Sequence, residues 1–244
     1  MLTLFAIAVA IVIMVDTVLL ARALQRGGAL AAASEAFEHR RPEAAKSLLV
    51  IGDSTGVGTG AIRPGDSVAG RLAALLPHIE IVNLARDGAR MGELMEQLHS
   101  APGRAFDAIL IQAGGNDILR FTDLDRLRES VTDLLRATRA RADFVVMMST
   151  GDVGTAPAFP IPINWIYSWR TKRVRALFLE LTAREGIDYV DLFDPSAENP
   201  FYREPERFYA GDGLHPSGEG YRLWFERLKA ESRIEAYLMG TRSR

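Results

Sequence analysis

Four short stretches of the sequence hold residue types that can carry out chemistry. In LLVIGDSTGVGTGA, residues 48–61, an apolar run precedes a loop with Asp53, Ser54 and the glycines Gly52, Gly56, Gly58 and Gly60. A tight turn after a buried strand would present the Ser54 hydroxyl as a nucleophile, whereas the glycines by themselves also fit a loop that cradles phosphate. NLARDGA, residues 83–89, contains Gly88, which has no side chain to keep a backbone N–H away from a reacting centre. GGND, residues 114–117, carries Asn116, a neutral amide donor after two glycines that permit a sharp exit from a strand. GDGLHPS, residues 211–217, sets Asp212 and His215 three residues apart in a loop stiffened by Pro216. Acyl transfer by serine needs a base that takes the hydroxyl proton and a carboxylate that orients the base, and this one turn supplies both. Donors from the other three stretches can converge as an oxyanion hole.

A nucleotide-binding module is the competing reading of the first stretch. It asks for an acidic residue at the end of the second strand, and IVNLA has none; a P-loop asks for a lysine, and none lies between Lys46 and Lys172. It also leaves Asn116 and His215 unexplained. Asp191 competes with Asp212 as the orienting acid, but only Asp212 reaches His215 without assumptions about how distant loops pack. His39, His78, His99 and His215 lack ligand-like spacing, and the chain has no cysteine, so neither a metal centre nor a thiolate is expected. With 29 Lys and Arg against 31 Asp and Glu, net charge −2, nothing attracts a nucleic-acid backbone.

These stretches need a scaffold that gathers them. Five apolar runs rich in Val and Ile, at 47–52, 79–85, 106–114, 143–150 and 187–193, are near-continuous rather than alternating, as strands buried on both faces are. Between and after them lie segments of helical periodicity at 67–76, 92–100, 124–142, 169–186 and 217–238. This alternation predicts one α/β domain with a parallel sheet covered on both faces, and a ligand crevice beyond the carboxyl ends of its strands. Each chemical stretch falls at a strand end or in the last loop.

Taken in order, Ser54 in GDS, Gly88 in NLARDGA, Asn116 in GGND and His215 in DGLHPS resemble the four marker residues of the SGNH (GDSL) hydrolases, over about residues 47–237. Thr55 stands where the short motif name has Leu. The resemblance implies a flavodoxin-like three-layer sandwich of strand order 2-1-3-4-5, and a serine esterase or lipase that cleaves ester or thioester bonds without metal or other cofactor. It implies Ser54 as nucleophile, His215 as acid and base, and Asp212 as orienting group. The N–H groups of Ser54 and Gly88 with the Asn116 amide would hold the oxyanion, and Asp53 and Asp117 would shape the turns. An acyltransferase would share every one of these residues. Lipid esters and acylated or acetylated glycans are the substrate classes expected.

Two further stretches carry expectations. Residues 1–21, MLTLFAIAVAIVIMVDTVLLA, hold one charge, Asp16, and as a helix would span about 30 Å, which predicts a single-pass transmembrane anchor and a membrane location. A cleaved signal peptide, suggested by LAAAS at 30–34, competes, but no Lys or Arg precedes the apolar run. Residues 22–46 then read as a linker and 47–244 as the hydrolase domain. Arg22, Arg26, Arg40, Arg41 and Lys46 all follow the apolar run, so the positive-inside tendency favours a cytoplasmic domain, with an extracytoplasmic one as the alternative. After the fourth strand, residues 149–169 combine Pro157, Pro160 and Pro162 with Phe159, Trp165, Tyr167 and Trp169. These aromatics pack in the core or, with Trp165, Tyr167 and Trp169 as substrate-binding residues, wall the crevice.

Overall fold

A computed structural model describes residues 14, 18, 21–23, 25–103 and 105–240. Five strands, β1 (Lys46–Gly52), β2 (Ile79–Asn83), β3 (Phe106–Gln112), β4 (Ala142–Met148) and β5 (Asp188–Val190), form one parallel sheet in the order β2-β1-β3-β4-β5. The near-continuous apolar runs have their cause here, because helices cover both faces. Leu49, Ile51, Ile109, Ile111 and Met147 face one core with the helices Leu94–Ser100, Leu124–Arg139 and Ile163–Glu185. Leu48, Val50, Leu110 and Val146 face the other, under Val68–Leu75, Gly218–Glu231 and Ile234–Met239. All seven residues of β3 are buried. At about 1.5–3 kcal/mol for each fully buried large apolar side chain, these two cores drive the fold.

Local signals fix the helix ends. Ser67, Asp123 and Ser217 each accept a hydrogen bond from a first-turn N–H. The long helix starts at Ile163, directly after Pro162, and stops at Gly186. It therefore begins six residues before the expected position 169, and Trp165, Tyr167 and Trp169 stand in its first two turns.

The expected membrane span is not supported. Among the described residues no helix is long and apolar enough to cross a membrane, so the single-pass anchor and the membrane location drawn from it are withdrawn. Most of residues 1–21 lie outside the described residues. Just past this run, residues 21–23 and 25–33 are helical, and Ala23 packs against the first of the two cores.

Candidate active site

The nucleophile turn is built from β1 outward. A β-carbon on Gly52 would stand 2.0 Å from the Gln112 carbonyl oxygen, so only glycine lets β1 and β3 close up at this point. Buried Gln97 then grips the strand end, accepting from the Gly52 N–H at 2.8 Å and donating to its carbonyl at 2.9 Å. Asp53 caps the short helix Ser54–Val57 by accepting from the Thr55 N–H at 2.9 Å and the Thr55 hydroxyl at 2.7 Å. Burial pushes the Asp53 carboxyl up from its ordinary pKa, and the two bonds from Thr55 pull against that shift. From the ends of the neighbouring strands, Asn83 donates to the Gly56 carbonyl at 2.9 Å and Gln112 to the Thr55 carbonyl at 2.8 Å. The remaining glycines serve close packing: a β-carbon on Gly56 would come within 2.8 Å of the Ala85 side chain, and one on Gly60 within 2.5 Å of the Pro216 carbonyl.

His215 reaches this turn from the last loop. Its Nε2 lies 2.8 Å from the Ser54 hydroxyl oxygen, and its Nδ1 lies 2.6 Å from Asp212 Oδ2. The other Asp212 oxygen accepts from the N–H groups of Leu214 at 3.0 Å and His215 at 3.1 Å. Burial raises the Asp212 pKa, but the bond and charge of His215 and the two backbone N–H groups outweigh it, so the carboxyl sits below its ordinary value. An ionised Asp212 holds the Nδ1 proton and leaves Nε2 to accept from Ser54. Asp191, the competing acid, is bound to Arg175, whose Nε donates to both of its oxygens at 2.9 Å and whose Nη2 donates to Oδ2 as well.

Ser54, Gly88 and Asn116 border one cavity of about 600 Å³ together with His215. The Ser54 and Gly88 N–H groups have no backbone acceptor among the described residues. Gly88 has φ +75°, a conformation that glycine adopts without strain. Its loop is tied by the Met91 N–H, which donates at 2.9 Å to Asp117, itself raised in pKa by burial. Asn116 leaves the sheet through Gly114, where φ is +123°. Tyr167 borders the cavity, with Phe159 packed on its ring at 4.3 Å between centroids. Trp165 and Trp169 do not border it and are 64% and 53% exposed. Among the described residues no three His, Asp or Glu side chains gather to hold a metal ion.

Gln97, Asn83 and Gln112 did not stand out as functional from sequence. The signal was present for two of them, since Asn83 and Gln112 are amides ending otherwise apolar strands. Gln97 lies in a helix and gave none.

The GDSL-like lipase/acylhydrolase family model matches residues 50–223, which include every residue of the Ser54–His215–Asp212 chain. The chain belongs to this family. A GDSL-like esterase of Mycobacterium tuberculosis (strain ATCC 25618 / H37Rv) is 29% identical over 184 residues, covering 72% of this chain and 58% of that relative, so the chain spans less than two thirds of the relative's length. Among solved structures, a lipase/acylhydrolase from Enterococcus faecalis superposes with TM-score 0.57 at 22% identity, covering 78% of this chain and 96% of that one. Axe2, an acetylxylan esterase from Geobacillus stearothermophilus, superposes with TM-score 0.55 at 19% identity, covering 82% and 98%. At such identities these structures share the fold of this GDSL family member.

Proposed function

We propose that this protein hydrolyses ester or thioester bonds through a covalent acyl-Ser54 intermediate. The observation that carries the reading is the unbroken chain from the Ser54 hydroxyl through His215 to Asp212, at 2.8 and 2.6 Å, beside a cavity large enough for a substrate. His215 Nε2 takes the Ser54 proton as the oxygen bonds to the carbonyl carbon. The oxyanion that forms is held by the N–H groups of Ser54 and Gly88 and the amide of Asn116. Collapse expels the alkoxide or thiolate, which takes the proton from His215. Water then gives a proton to His215, attacks the acyl carbon, and releases the acid as Ser54 regains its hydrogen. Apolar residues of the cavity wall, including Phe159, Leu192, Phe201 and Leu214, suit the acyl group of a lipid-type ester.

The test is labelling by a fluorophosphonate. The wild-type protein is expected to react and Ser54→Ala to remain unlabelled. A correctly folded wild type that did not react would remove the serine mechanism.

A further inference from the structure

The N-terminal part of the described chain takes no part in the reaction above, yet it lies on the site. Ala23, Gly27, Gly28 and Ala31 all border the substrate cavity. In helical residues, a spacing of four sets positions 23, 27 and 31 on one face. A β-carbon on Gly27 would stand 3.3 Å from Asp212 Oδ2 and 3.9 Å from His215 Cε1, so the helix backbone passes directly over the acid–base pair. The Arg26 guanidinium donates to the Gly211 carbonyl at 3.3 Å, one residue before Asp212. Past the helix, His39 pairs antiparallel with Ile81 of β2 through bonds of 3.0 and 2.9 Å, and Phe37 packs against the core. The segment is therefore fastened at both ends. Beneath it Ser54 is only 8% exposed and the His215 side chain 14%.

We infer that this helix is the roof of the substrate cavity, and that Ala23 and Ala31, on either side of Gly27, set the size of the acyl group accepted. The inference rests on the ester-hydrolase reading and adds a substrate class, an ester with a slender linear acyl chain. Small side chains keep the space beneath the roof open, and larger ones at the same positions occupy volume that an acyl chain needs. A bulky or polymer-borne ester has to displace a segment tied to β2 through His39 and resting on the core through Ala23, whereas a linear chain fits below it.

The natural chain has no cysteine, so one thiol can be introduced and enlarged after folding. Ala23→Cys and Ala31→Cys are near-isosteric. Each folded full-length variant is treated with methyl or benzyl methanethiosulfonate, and kcat/KM is measured on the p-nitrophenyl esters of decanoate and acetate. The benzyl adduct at either position is expected to lower the decanoate-to-acetate ratio by about tenfold or more, which is the scale of one misfitted group in an apolar pocket. The methyl adduct lowers it less, and dithiothreitol restores it. A ratio unchanged in protein shown by mass spectrometry to be fully modified at both positions overturns the roof. Fluorophosphonate labelling of the same samples separates the two failures: without labelling of wild type the hydrolase reading falls, and with labelling but no change in ratio only the roof does.

Discussion

The nucleophile turn and the acid–base loop meet at 2.8 Å, yet they are held in opposite ways. Ser54 is positioned by residues far away in sequence: Gln97, Asn83 and Gln112 come from a helix and two neighbouring strands and bond to the backbone of residues 52–56. The loop around His215 is mostly self-contained. Asp212 accepts from residues 214 and 215, the Ala210 N–H donates to the His215 carbonyl at 2.8 Å, and Tyr209 pairs with Pro216. The turn therefore depends on the assembled sheet, and the loop largely on its own sequence.

Substitutions can separate the two modes of support. The largest effect is expected for Ser54→Ala, which removes the nucleophile and should lower kcat by roughly 10⁶-fold with little change in stability. Asp212→Asn leaves most of the loop's bonds possible but loses the carboxylate that sets the His215 tautomer, and a fall in kcat of about 10⁴-fold is expected. A near-normal kcat in that variant would mean that another group orients His215.

Gln97→Leu tests the long-range support. The Gly52 carbonyl keeps the Arg86 N–H as a partner at 3.1 Å, so the cost is chiefly one orphaned buried N–H, about 1–3 kcal/mol in urea unfolding. If stability were unchanged, the buttress would not bear on the fold.

Acid unfolding addresses the loop. Since the Asp212 pKa is lowered on folding, its stabilisation is fully present above the ordinary value of 3.8 and is lost as pH falls through the lower folded value. The stability gap between wild type and Asp212→Asn is therefore expected to narrow below about pH 3.8, and a gap that stayed constant in that range would contradict the shift. The smallest effect is expected for Arg26→Ala, within about 0.5 kcal/mol in thermal unfolding, because its bond to Gly211 is exposed.

The same contrast decides which parts of the site are legible in the sequence. Asp212 and His215 were legible because three residues of chain are enough to set their geometry, and the strand order followed from a resemblance to a family with matching blocks. The support of Ser54 was not legible, since no local pattern announces that Gln97 will turn inward to the end of β1. Trp165 and Trp169 stand apart from the cavity for a geometric reason. Once the helix starts at Ile163 they are four positions apart on one face, while Tyr167, two positions from each, falls on another. The roof was hidden because alanine and glycine give little hydrophobic periodicity, and the apolar run before them pointed to a bilayer instead.

The closeness of Gly52 to the Gln112 carbonyl has a mechanical consequence. Since the two central strands touch there without a side chain between them, their separation acts as a gauge block for the serine that follows. Any distortion that pries β1 from β3 is transmitted over two residues to the attacking oxygen, so strain in the middle of the sheet and misalignment of the nucleophile are one and the same displacement.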